Sequence, residues 1–229
     1  MAKIVYGPIV SDARKKIAGV VATKGHAGNF MRKKVSPIQP RSGLQRTVRA
    51  DFSAHAKAWA GLGASVIAGF NALAKTINKK DRFGQSVTLT GLQLFQSLSR
   101  NIDTVSGTPL SAVPASLDAS TPGALTLVIT SGGTPAFTVT PANYPATGES
   151  AAIYASPQLS PGRSYVGKNY RLVLVVPYSG SPTAFNVLTN YVAKFGTLVS
   201  GKNIYVLVKN INTTTGGAGS PSAKMQAAT

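Results

Sequence analysis

The chain has no cysteine, six acidic residues, two histidines and one tryptophan among its 229 residues. Without cysteine there is no disulfide framework, no thiolate nucleophile and no cysteine zinc site. The acids, Asp12, Asp51, Asp81, Asp103, Asp118 and Glu149, lie far apart along the chain. Carboxylates so dispersed offer little material for an oxygen-rich metal cage or an acid/base pair. His26 sits in a glycine-rich turn between basic residues and His55 flanks a helical stripe, neither with a partner at metal-ligand spacing. No G-x-S-x-G elbow occurs. These absences predict a protein that is not an enzyme and uses no cofactor.

Long apolar runs are scarce too. Residues 58 to 74 are uncharged, but Gly61, Gly63, Ser65, Gly69 and Asn71 interrupt them. That stretch falls short of a bilayer-spanning helix and predicts a buried helix pair or a subunit contact, with no membrane span. Ile4 to Val10 is short, broken by Gly7 and Pro8 and followed by cations, which predicts synthesis in the cytoplasm without a Sec-type signal peptide.

What the chain has is positive charge: 24 Lys and Arg give a net +18 from a composition only 13% charged, about half the usual proportion. Residues 1 to 83 carry 16 basic and 3 acidic residues, and 84 to 229 carry 8 and 3. The densest stretch holds Arg14, Lys15, Lys16, Lys24, Arg32, Lys33, Lys34, Arg41, Arg46 and Arg49, with no acid between Asp12 and Asp51. Cations of this kind bind phosphates by releasing counterions, without reading sequence, and they also serve contacts between subunits. Phe30 is the only aromatic near the clusters, which argues against specific single-strand recognition.

The pattern predicts an α+β chain in four parts: a basic arm with a β-hairpin (1–41), a helical region (42–102), a linker or extended arm (103–123) and a β-sandwich (124–229). The hairpin joins residues 17–23 and 29–35 through KGHAG, and Pro37 and Pro40 end it. Ser42 is placed to cap a helix in which Leu44, Val48, Phe52, Ala56 and Trp59 recur at helical spacing. After the break at Gly61 to Gly63, Val66, Ile67, Phe70, Leu73 and Ile77 extend the pattern into a second helix closed by Lys79 and Lys80. Thr90 caps a third, with Leu92, Phe95, Leu98 and Ile102 on one side. Phe52, Trp59, Val66, Ile67, Phe70 and Leu73 are therefore the expected core or assembly residues.

Residues 103–123 are rich in Pro, Ser, Ala and Gly and lack periodicity. Beyond them, strands are expected at 124–130, 135–140, 151–156, 169–176, 203–211 and 220–227, separated by turns, which argues for a sandwich. The segments GRSYVGKN (162–169) and GTLVSGKN (196–203) approach a phosphate-binding loop. Asn169 and Asn203 stand where it needs a hydroxyl, and a strand follows where it needs a helix. They read as one turn-into-strand solution used twice.

Gly7, the run Arg14-Lys15-Lys16-Ile17-Ala18-Gly19-Val20-Val21, then Phe30, Arg32, Pro37, Gln45, Arg49, Phe52 and Trp59 form a spaced pattern. Phe83-Gly84, Thr90-Gly91-Leu92-Gln93-Leu94-Phe95 and Asn101 continue it. Over about residues 1–102 this pattern resembles a poorly characterised family of phage, prophage and bacterial proteins. The end of the chain, Asn203–Ile211, a turn to Gly219 and Ser220–Ala227, is similar in plan to the last strands of a fibronectin type III or other immunoglobulin-like module. The resemblance implies a non-enzymatic structural protein that self-assembles into a virion or filament-like particle, as a capsid, tail or coat component, and so resides in a virion or extracellular particle. Two alternatives stand beside it. One is a sequence-independent protein that binds or packages DNA or RNA through the basic region; the other is a surface carbohydrate-binding module using Tyr144, Tyr154, Tyr165 and Tyr178.

Overall fold

The computed structural model describes residues 2–3, 13, 15–17, 19–26, 28–35, 42–77, 79–81, 83–163, 165–167, 169–178 and 184–229. Gly7, Arg14, Ala18, Pro37, Pro40, Arg41 and the 4–10 segment read for a signal lie outside them. The chain divides into two compact units, Met1–Leu94 and Phe95–Thr229.

In the first unit, β1 (Ala2–Lys3), β2 (Lys15–Ile17), β3 (Val20–Gly25) and β4 (Gly28–Lys33) form an antiparallel sheet in the order β1-β4-β3-β2. The hairpin is tighter than expected: Gly25 pairs with Gly28, whose φ of 103° is open to glycine and strained for other residues. α1 (Gly43–Ala60) starts where the sequence places it, the Ser42 hydroxyl accepting from Gln45 N at 3.4 Å. α2 (Ala64–Thr76) follows. Lys79 and Lys80, expected to close that helix, instead form β5 (Lys79–Lys80), paired with β6 (Ser86–Val87). Asp81 drives the reversal, its Oδ1 accepting from Phe83 N at 2.7 Å and Gln85 N at 3.0 Å, an Asx turn of the kind that competes with helix. α3 (Gly91–Thr104) opens with a capping box: Gln93 N donates to Thr90 Oγ1 at 3.2 Å and Thr90 N to Gln93 Oε1 at 3.0 Å.

The second unit contains most of α3, then β7 (Leu125–Thr130), β8 (Ala136–Pro141), β9 (Glu149–Ala155), β10 (Arg171–Pro177), β11 (Phe185–Asn186), α4 (Leu188–Phe195), β12 (Asn203–Asn212) and β13 (Ser222–Ala227). Its sheets run β10-β9-β12-β13 and β11-β8-β7, all pairs antiparallel. The two-residue alternation of the strands puts Leu125, Leu127, Ile129, Phe137, Val139, Ile153, Val206 and Val208 in one core. The opposite face of β9 and β12 joins a smaller cluster through Ala152, Ile211 and Val105. Gly167 and Gly201, the glycines of the two G-K-N segments, both take left-handed φ, 62° and 75°; β12 starts at Asn203 itself, whereas β10 starts two residues after Asn169.

Two boundaries differ from expectation. The division falls inside the third helix, because Phe95, Leu98 and Ile102 are buried and Asn101 Nδ2 donates to Gly216 O at 2.8 Å. Residues 103–123, read as a linker or extended arm, are extended but held: Thr108 N donates to Thr213 O at 3.0 Å, Asn143 N to Pro122 O at 2.9 Å, and Val105, Pro114 and Pro122 are buried. The signal was the run Gly216-Gly217-Ala218-Gly219. A methyl group on Gly216 would overlap the carbonyl oxygen of Leu98 in α3, and one on Gly217 or Gly219 that of Leu117 or Ser120 in the arm, so these glycines let α3 and the arm lie directly on the run. α4 was missed as well. Its signal is Leu188, Tyr191 and Phe195 at helical spacing before Gly196, all packed in or against the main core.

Candidate functional site

The basic residues of the first unit are set on its sheet by strand register. Lys16, Val21 and Arg32 align in one row across β2, β3 and β4; Ile17, Val20 and Lys33 form the next row, and Lys15, Ala22 and Met31 the one on the other side. Thr23 pairs with Phe30 and Lys24 with Asn29. Neighbouring rows point to opposite faces. One face therefore carries Lys16 and Arg32 around Val21, Thr23 and Phe30; the other carries Lys24 and Lys33 around Ala22, Asn29 and Met31, while Lys15, paired with Ala22, departs from the regular alternation with a left-handed φ of 76°. All five cations are exposed, as is Lys34, whose backbone N donates to Gly19 O at 2.8 Å. The residues between them are half-buried and Ala22 is fully buried. Residues 13–50 themselves contain no acidic residue. Arg46 and Arg49 lie apart from it on α1, both exposed.

α1 itself is the second feature. None of its 18 residues is buried, and the stripe at i, i+4 and i+8 is open: Leu44 is 78% exposed, Val48 51% and Phe52 58%. Phe52, expected in a core or an assembly contact, is thus exposed and not part of a buried core. The remaining expected core residues of this unit divide: Phe70 is buried and meets Trp59 edge-on with ring centroids 5.8 Å apart, while Trp59, Val66, Ile67 and Leu73 are half-buried. Among the described residues the buried apolar side chains of this unit are only Ala22, Phe70, Ala74 and Leu94. At the tip of the β5–β6 turn Phe83 is 60% exposed.

Among its described residues the second unit holds the buried polar groups Ser99, Glu149, Ser150, Ser156, Asn203 and Asn210. Its buried carboxylate, Glu149, accepts from Ser120 N at 2.8 Å, Ala146 N at 2.9 Å and the Ser120 hydroxyl; Asn210 Nδ2 donates to that hydroxyl at 2.8 Å. This network ties the arm to the sheet. Lys209, whose Nζ donates to Asn101 Oδ1 at 3.4 Å, has its pKa pushed down by burial, and burial pushes the Tyr191 hydroxyl up where it donates to Ser156 O at 3.1 Å. The four tyrosines proposed for sugar binding are not brought together. Tyr144 packs against the main core, edge-on to Phe185 at 5.6 Å, Tyr154 against the cluster on the other face of β9, and Tyr165 and Tyr178 are exposed on loops. A groove of about 220 Å³ between residues 108–114 and 214–215 has no ionisable side chain in its lining. Among the described residues no group of three or more His, Asp or Glu could hold a metal, and no helix is long and apolar enough to cross a membrane. No family model, curated protein or solved structure matches the chain.

Proposed function

We propose that the protein is a non-enzymatic structural component that self-assembles, through its first unit, into a virion or filament-like particle. The observation that carries this reading is α1: an 18-residue helix with no buried residue and an open Leu44-Val48-Phe52 stripe, in a unit with few buried apolar side chains among its described residues. An amphipathic helix gains most of its stability from packing its apolar face, so such a helix is completed by a neighbour. In this reading the neighbour is another copy, and the particle is of the phage type that the N-terminal pattern resembles.

The second unit is read as an outward fibronectin type III-like module. Its support is the strand order: β10-β9-β12-β13 facing β11-β8-β7 corresponds to C′-C-F-G facing E-B-A in sandwiches of the immunoglobulin type.

The test is the light-scattering mass of the purified chain across a size-exclusion peak, beside a Leu44→Ser/Phe52→Ser variant. Megadalton particles are expected from the natural chain, and species near 23.6 kDa with unchanged helix content from the variant. A natural chain that stays at 23.6 kDa at all concentrations, or a variant that assembles normally, overturns the reading.

A further inference from the structure

The sheet of β10, β9, β12 and β13 closes the main core with one face. The other face of an antiparallel sheet ordinarily turns polar side chains to water, but here strand register fills it with aromatic and aliphatic ones. Leu172, Tyr154, Leu207 and Ala223 align in one row across the four strands; Tyr205, with Met225 opposite it, stands two residues along on the same face. The cluster of Val105, Ala152 and Ile211 covers one end of this face. Against and beyond it Tyr154, Leu172, Tyr205 and Leu207 are half-buried, and Met225 is 43% exposed. Tyr170 lies beside Tyr205: burial pushes its pKa up and the neighbouring Tyr205 adds to the rise. The loop before β10 borders these rings, the Tyr205 hydroxyl donating to Arg163 O at 2.9 Å and Arg163 Nε to Tyr165 O at 3.0 Å. Arg163 is exposed, and at the α3 end Arg100 stands near enough to Tyr154 to oppose the rise that burial gives its hydroxyl.

We infer that this outer face is a stacking platform for single-stranded nucleic acid, with bases laid on the rings of Tyr154, Tyr205 and Tyr170 and Arg163 meeting a phosphate at their border. Sheets that hold single strands present aromatic rings in this way, and rings bordered by cations take any base, since every base has a π-face. Tyr154 opposes Leu207, so Tyr205 is its diagonal neighbour, about 7 to 8 Å away. That is roughly twice the 3.4 Å rise per nucleotide of a stacked strand. Successive bases reach separate rings only in a strand that has come unstacked, which a single strand does and a duplex does not. The charges suit the partner: Arg163 and Arg100 flank the rings at opposite ends of the face. The scarcity of aromatics near the basic clusters of the first unit does not extend to this sheet, whose rings come from three segments far apart in sequence.

This inference rests neither on self-assembly nor on the cations of the first unit. Its test is the anisotropy of a fluorescein-labelled oligo(dT) of about 20 nucleotides, longer than a typical site of about 4 to 16, titrated with the full chain beside its duplex with oligo(dA). The natural chain is expected to prefer the single strand. Tyr170→Leu/Tyr205→Leu keeps apolar side chains but removes two rings, and should weaken single-strand binding about tenfold or more while leaving duplex binding unchanged. Tyr170→Phe/Tyr205→Phe keeps the rings and should retain the preference. Arg163→Gln should make the slope of log K against log salt shallower by about 0.7. Ultraviolet cross-linking of the natural chain to oligo(dT) needs no variant to fold, and should attach the strand to the tryptic peptides 169–171 or 203–209. Equal affinity for the duplex, an unchanged Leu variant, a Phe variant as weak as the Leu variant, or cross-links confined to the first unit overturns the inference. So does binding to an acidic polysaccharide or to phosphatidylserine vesicles without binding to the oligonucleotide.

Discussion

Lys209 illustrates how one buried group reports on folding. Its side chain lies where β12 faces the end of α3, held by Asn101, and its pKa is lowered because burial disfavours the ammonium form. The unfolded chain therefore binds the proton more tightly than the folded one. Between the folded pKa and the ordinary lysine value of 10.5, the unfolded state carries more protons and stability rises with pH; below that window the charged lysine is a constant penalty on folding. Lys209→Met removes the penalty while keeping the unbranched stem against its neighbours. The expected result is a melting temperature at pH 7 equal to or above that of the natural chain, the difference shrinking as pH approaches 10.5. A melting temperature lowered at pH 7 would mean that the bond to Asn101 outweighs the desolvation.

At the scale of elements, the regular pieces were legible because each rests on a local signal: Ser42 and Thr90 as caps, apolar residues at helical spacing for the three helices, and short runs separated by Pro/Gly turns for the six long strands of the second unit. The failures share a cause. Lys79-Lys80 reads as a helix end until the Asp81 carboxylate is seen to close a turn, and 103–123 reads as loose until the glycines of 216–219 are set beneath it. Both depend on partners distant from the pattern being read. For the candidate site, the cations were legible as a composition, but their split between two faces came only from strand register. The glycine run gives an element-scale expectation. Gly217→Ala drives a methyl group into the Leu117 carbonyl and should destabilise the second unit by about 1–3 kcal/mol, the usual range for overpacking. Gly132→Ala, at a position with open space around it, should be neutral or slightly stabilising. Urea denaturation of the two variants measures the contrast, and equal midpoints would show that the arm is free to lift from the glycines.

For the whole molecule the governing fact is the unequal division of charge. The first unit carries 16 basic and 3 acidic residues, a net +13, and the second 8 and 3, a net +5. Self-repulsion opposes the compact state, and salt screens it over a Debye length of about 10 Å at 0.1 M. The second unit, with 24 of the buried apolar side chains among the described residues against 4 in the first, depends mainly on burial, which moderate salt changes little. Calorimetry of the full chain is therefore expected to show two transitions. Between about 10 mM and about 300 mM sodium chloride, a range over which the Debye length falls from about 30 Å to well under 10 Å, the lower transition should rise by several degrees while the upper one stays nearly fixed. Two substitutions assign them. Phe70→Ala, at a cost of about 3–5 kcal/mol, should lower or abolish the salt-sensitive transition alone, and Ile153→Val, at about 0.5–1.5 kcal/mol, should lower only the other. If both transitions moved together with salt, or if Phe70→Ala shifted both, the units would be one cooperative body and the excess charge of the first would be carried by the stability of the second.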